Sequence, residues 1–193
     1  MTWDPNTASS SLQVSENDET LVSYRGNPEP VPHHPESREG LSSRHFFQLE
    51  WFGKGATIGM AYKDISRKQS SAACSIGLNN KSWGVSVSTP FAICKAYHGG
   101  VEMQLPDCSP WRVGVYLDWA AGTLSFYNTT YDKAELIHTF HAKFTQPLFL
   151  LVSSVGVKIL PDVPPPVCVH DHDPWDMLRG YKDCKGCNGS KAY

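Results

Sequence analysis

The chain predicts an all-β protein, a sandwich of two antiparallel sheets, and three observations carry that expectation. Between residues 44 and 160 short runs of alternating apolar and polar residues are broken by Gly, Asn, Asp and Pro, with no helical periodicity long enough to build a core. Residues 111–128, WRVGVYLDWAAGTLSFYN, read as a hairpin. Val113, Val115 and Leu117 alternate with Gly114, Tyr116 and Asp118, then Leu124 and Phe126 alternate with Thr123, Ser125 and Tyr127. Between them Trp119-Ala120-Ala121-Gly122 has the length of a tight loop, with Gly122 where a positive φ costs least. Finally, 193 residues suffice for one domain, which at this size buries roughly 70% of its unfolded surface.

Taken in order, the segment up to Tyr24 has two short apolar clusters separated by Ser, Asn, Asp and Glu, suited to brief edge strands joined by a turn. Residues 26–40 hold four prolines and two histidines and read as a loop. Beyond them, two sheets packed face to face would bury Phe47, Leu49, Trp51, Ile58, Val113, Val115, Leu117, Leu124 and Phe126. The hairpin is expected to be half buried and half wet. Trp51, Trp83 and Trp111 are assigned to the core.

Charge and composition narrow the function. With 17 Lys+Arg against 19 Asp+Glu there is no basic field to attract nucleic acid or an anionic membrane. No apolar run reaches the roughly 18 residues of a membrane-spanning helix, and MTWDPNTASSSLQ lacks the basic start and apolar core of a signal peptide. A cytoplasmic location is therefore expected. In that compartment the six cysteines, at 74, 94, 108, 168, 184 and 187, would be free thiols, and the sequons at Asn128 and Asn188 would stay unmodified. Cys74, Cys94 and Cys108 lie in or beside apolar runs, where thiols behave as inert small hydrophobes. No GxSxG, P-loop, HExxH or dinucleotide fingerprint occurs, so the chain is not expected to be an enzyme.

Several segments, in order, resemble the PRY-SPRY domain family. Trp3-Asp4-Pro5-Asn6-Thr7-Ala8 is similar to the opening LDPNTA of the PRY half, and HFFQLEW after Arg44 stands where the family writes HYWEVEW. AYKDISRK and NNKSW resemble the next strand, turn and strand, the 111–128 hairpin resembles an LDYEAGTLSFYN-like run, and Phe144-Thr145-Gln146-Pro147-Leu148 resembles FTEPL. The resemblance implies a SPRY, concanavalin-like jelly roll divided into a shortened PRY-like segment at 1–43, a SPRY-like sandwich at 44–160 and a tail at 161–193 whose composition suits a flexible segment. One departure stands out. Relatives place an additional aromatic-rich strand before the Arg38-Glu39-Gly40-Leu41 step, and its loss would leave neighbouring strands with unpaired backbone groups.

The family resemblance further implies a non-catalytic module that binds a protein partner through loops at one end of the scaffold, monomeric when isolated. In tripartite-motif ubiquitin ligases, and in fish nucleotide-binding leucine-rich-repeat receptors, such a domain closes a longer chain, which points to innate immunity. Neither a RING-like Cys/His array nor a heptad stretch accompanies it here. Carried over position by position, the partner-binding face comprises Lys63 and Asp64 in the turn after Ala61-Tyr62, and Ser86, Ser88 and Phe91 on and beyond the strand after Trp83. Some members carry tryptophans where Ser86 and Ser88 stand, so Tyr97 and His98 in the following loop are the nearest amphipathic replacements. Asp118, at a strand end, is implied to bind turn amides. The competing function lies in the tail. There Cys168, His170, Cys184 and Cys187 could supply a tetrahedral zinc site, making the chain a zinc-dependent interaction module; otherwise no cofactor is expected.

Overall fold

The fold is described from a computed structural model covering residues 1–4, 12–14, 20–23, 36–65, 74–88, 92–130, 134–153 and 156–160. Among them are twelve strands and no α-helix: β1 (Leu12–Val14), β2 (Thr20–Ser23), β3 (Arg44–Trp51), β4 (Gly55–Tyr62), β5 (Ser82–Ser88), β6 (Cys94–His98), β7 (Val101–Gln104), β8 (Arg112–Asp118), β9 (Thr123–Asn128), β10 (Glu135–His141), β11 (Leu148–Ser153) and β12 (Val157–Ile159). Every pairing is antiparallel. One sheet has seven strands in the order β1-β2-β12-β3-β8-β9-β10, the other five in the order β11-β4-β5-β6-β7.

Alternation explains the sandwich. In the five-stranded sheet Ile58, Met60, Trp83, Val85, Val87, Leu148 and Leu150 face inward, where they meet Phe47, Leu49, Trp51, Val113, Val115, Leu117, Leu124 and Phe126 of the seven-stranded sheet in one buried cluster. All nine residues expected in the core are there. The short N-terminal strands also exist: β1 pairs with β2, and β2 in turn with β12.

The hairpin forms as its pattern requires. Asp118 pairs with Thr123 across a loop at 119–122, and Gly122 takes φ +70°, with Ala142 O standing where a Cβ would point. Asp118 accepts a hydrogen bond from Ala121 N at 2.9 Å, the turn-amide role expected of it, and a second from Arg44 Nε at 2.7 Å. The expected wet face is a different matter, since Tyr116, Asp118, Ser125 and Tyr127 are buried too. β8 and β9 lie inside the sheet, and on its outer side the Phe46 ring and the Thr129 methyl close over Gly114, filling the space a side chain would need.

Three further expectations change. Trp111 is 45% exposed, unlike the buried Trp51 and Trp83, because it stands at the sandwich end before β8 with the Arg112 guanidinium 5.0 Å from its ring. Cys94 and Cys108 are not free thiols: they form a disulfide with Cα atoms 5.8 Å apart. The chain leaving β7 folds back, with Leu105 N donating to Cys94 O at 3.0 Å and Cys108 N to Ala92 O at 2.9 Å, which brings the two sulfurs together. Cys74 keeps its thiol and is buried.

The third change concerns the N-terminal segment. Residues 36–40, read as the end of a loop, instead line the outer edge of β11 together with Leu41. Ser37 N donates to Leu150 O (2.9 Å), Leu150 N to Ser37 Oγ (3.1 Å), Leu41 N to Leu148 O (2.8 Å) and Leu148 N to Leu41 O (2.9 Å). Residues 2–4 bond outside them, Asp4 N donating to Glu36 O and Arg38 N to Thr2 O. The outer edge of β11 is therefore bonded rather than open.

Candidate functional site

Antiparallel pairing sends the loops to two opposite ends. At one end lie residues 52–54, 105–111 and 129–130; at the other lie 63–65, 99–100, 119–122 and 142–147. The residues singled out from the sequence divide between them. Lys63 and Asp64 are exposed in the turn after β4, with Lys63 Nζ 5.2 Å from the centre of the Phe149 ring and Asp64 ion-paired with Lys81. Ser88 closes β5 at the opposite end, where it faces Gly55. A strand of this length puts the two groups about 23 Å apart. Phe91 lies outside the described residues, as do Cys168, His170, Cys184 and Cys187.

Tyr97 and His98 belong to β6 rather than to a loop, and they face opposite ways. His98 turns inward and stacks on Trp83 at 4.7 Å between ring centres and 11° between planes, its Nδ1 donating to Ser82 O at 2.9 Å. Tyr97 points outward with Ser86. The register aligns Ser153, Thr57, Ser86, Lys95 and Gln104 in one row across all five strands of the outer face. The next row, Leu151, Gly59, Gly84, Tyr97 and Glu102, is partly roofed by the Ile76 side chain, which occupies the space above both glycines. The open half of this face is thus polar and shallow.

Its charges neutralise one another. Lys95 Nζ reaches Glu102 Oε1 at 2.6 Å, a contact that lowers the Glu102 carboxyl and raises the Lys95 ammonium from their ordinary values. Burial, and secondarily Glu102, raises the Tyr97 phenol. None of this resembles catalytic machinery, because no nucleophile is joined to a base and no carboxylate pair is held together on this face.

Sequence reasoning missed the aromatic rim at the Ser88 end. Phe52 is 58% exposed at this end, its N–H donating to Gly156 O at 2.8 Å, and the preceding Trp51 N donates to Trp111 O at 3.2 Å. Arg112, between the Trp111 ring and the Glu50 carboxylate, completes the group. Ile93, also exposed, lies at the same end, its carbonyl accepting from Ser88 N at 3.0 Å. Its one sequence signal was Phe52, which falls one step outside the β3 alternation of Phe47, Leu49 and Trp51.

On the inner side, His138 packs edge-on to Phe140 with ring centres 4.5 Å apart. Burial, and then the neighbouring His141, pushes its imidazole below the usual value. The unfolded chain, titrating near pH 6.5, therefore takes up a proton that the fold resists. Stability is expected to decline as pH falls below that value and to level off beneath the depressed folded pKa. Thermal midpoints recorded from pH 7.5 to 5 should show this decline, flattened in His138→Gln.

This two-sheet antiparallel scaffold defines a class. The SPRY domain profile matches residues 44–160, and the chain belongs to the SPRY domain family. Its relatives include stonustoxin subunit beta of Synanceia horrida, 37% identical over 78% of this chain and 23% of the toxin subunit. Tripartite motif-containing protein 14 of Mus musculus is 34% identical over 77% of this chain and 36% of the relative. The TRIM65 PSpry domain has the same fold, with a TM-score of 0.75 at 24% identity over 83% of this chain and 89% of that one. The stonustoxin structure aligns with a TM-score of 0.70 at 32% identity, covering 82% of this chain and 26% of its own. The chain thus spans about a quarter of the length of the toxin subunits it matches. SPRY domains are in general protein-interaction modules rather than catalysts.

Proposed function

We propose that this domain is the recognition module of an innate-immune receptor or ubiquitin-ligase-type protein, acting in the cytoplasm and binding a protein partner through one end of the sandwich. The observation that carries this reading is the exposure of Phe52, Ile93 and Trp111, with Arg112 against the Trp111 ring, at the end of the sandwich where Ser88 lies. Exposed aromatic residues beside an arginine are the side chains that most often dominate binding energy. Lys63, Asp64 and His98 lie outside that patch and are assigned no contact. Kinship with tripartite motif-containing proteins supports the wider setting.

Capture of partners from a cytosolic lysate tests it. Trp111→Ala with Phe52→Ser is expected to reduce capture roughly 30-fold or more, corresponding to about 2 kcal/mol for a hot spot, with the thermal midpoint unchanged. Lys63→Ala with Asp64→Ala should bind as the unmodified domain does. Equal capture by the rim variant would overturn the reading.

A second reading is favoured by the Cys94–Cys108 bond, because disulfides persist mainly in oxidising compartments. In that reading the domain belongs to a secreted, multidomain protein, in keeping with its toxin-subunit relatives. Differential alkylation of the protein from its native source separates the two: reduced thiols favour the cytoplasmic reading, an intact bond the secreted one. The zinc-dependent alternative rests on tail residues outside the described structure.

A further inference from the structure

We propose that β7 is a self-complementary dimerisation edge, through which two copies of this chain join their five-stranded sheets across a two-fold axis. The starting point is how each sheet edge is finished. The β11 edge is bonded by residues 36–41, β10 carries a bulge between Leu136 and His138, and β1 is three residues long. β7 ends its sheet with all four residues exposed and, among the described residues, no strand beyond it. An unprotected edge is a template for another strand.

The hydrogen-bond phase decides which groups it offers. Gly99 and Gly100, at φ +62° and +77°, make a two-residue turn, so His98 and Val101 form the hydrogen-bonded closing pair. The bond from Leu105 N to Cys94 O has the same parity. Val101 and Met103 therefore direct their backbone groups to β6, whereas Glu102 and Gln104 direct theirs outward. Two residues separated by one position are what an antiparallel copy needs. Centred on Met103, the two-fold pairs Glu102 with the second copy's Gln104 and Gln104 with its Glu102, making four N–H···O bonds.

The side chains agree with that register. Met103 meets its symmetry mate at a close, non-hydrogen-bonded position on the inner face, where it is 50% exposed and Val101 is 65% exposed. On the outer face each Glu102 stands opposite a neutral glutamine instead of another Glu102, and its charge is already matched by Lys95. Any one-residue slip would aim outward-directed groups at inward-directed ones. Four residues per strand make a small interface, so a weak dimer with Kd between roughly 10 μM and 1 mM is expected. This edge is separate from the aromatic rim, and rim variants should not affect it.

Sedimentation of the full chain over this concentration range tests the proposal. The wild type should shift from monomer to dimer, and Met103→Lys, which sets two ammonium groups together at the axis, should remain monomeric with an unchanged thermal midpoint. Under mild oxidation Met103→Cys should give a dimer whose cross-link maps by mass spectrometry to residue 103 in both copies, since a close antiparallel pair suits disulfide geometry. A wild type that stays monomeric at the highest concentration, a dimer that survives Met103→Lys, or cross-links that map elsewhere would overturn it. So would a monomer whose capture of a different protein depends on Met103, because the edge would then belong to that protein's strand.

Discussion

Phe126→Ala is expected to cost about 3–5 kcal/mol, which in a domain of this size lowers the thermal midpoint by about 6–20 °C. Phe126 is 0% exposed and lies in the middle of β9, opposite Val115 of β8. Its ring meets that of Phe140 edge-to-face, with centres 6.0 Å apart and planes at 86°. Removing it forfeits the transfer of the ring out of water and leaves a cavity. The cavity has no easy way to collapse, because β9 is bonded on both sides, to β8 and β10, and its backbone cannot move inward without breaking a ladder. Phe140, itself on the last strand of the sheet, loses one of its edge-to-face partners in the same step. Leu136→Ala on the neighbouring strand, at a residue that is 46% exposed, should change stability far less, by about 0.5 kcal/mol. Thermal and denaturant unfolding of the two variants measure the contrast. A Phe126→Ala loss below about 1 kcal/mol would mean that the two sheets are not packed as described.

Such a residue was readable in the sequence because burial in a strand follows a period of two. Phe126 repeats with Leu124 on one side of the hairpin as Val113, Val115 and Leu117 do on the other, and that face is the core. What local alternation cannot show is what lies on the opposite face. Tyr116 and Tyr127 carry polar tips and occupy the positions expected to be wet, yet they are buried, Tyr116 opposite Phe46 of β3 and Tyr127 opposite Gly114, over which the Phe46 ring closes. The same limit explains Trp111: nothing within its own segment distinguishes a tryptophan that starts a strand in the core from one left at the rim. Residues 36–40 look like loop because their bonds are made singly, to a strand more than a hundred positions away. The candidate site was harder still. Ser86, Lys95 and Gln104 become neighbours only once three strands are in register, and Lys63 and Ser88, assigned to one face by position in the family pattern, stand at opposite ends of the same sheet.

Breaking the Cys94–Cys108 bond is expected to have the next largest effect, and an uneven one. The cross-link closes a loop with a sequence separation of 14, for which the chain-entropy account gives about 3 kcal/mol, or a fall of about 6–12 °C in midpoint. Cys94→Ala with Cys108→Ala isolates that contribution better than serine would, since Cys94 is fully buried and a hydroxyl there would add its own cost. The loss should concentrate in the hairpin the bond encloses. β7 is held on one side only, by β6, and the return of the chain rests on the bonds from Leu105 N to Cys94 O and from Cys108 N to Ala92 O. With the cross-link gone, amide exchange at Leu105 and Cys108 should accelerate well before exchange in β4 and β5, which are paired on both sides. Reduction of the unmodified protein should reproduce the pattern, while reductant should leave the double variant unchanged. If reduction moves neither the midpoint nor these amides, the two cysteines are not joined in solution, and the reading that places the domain in an oxidising compartment loses its support.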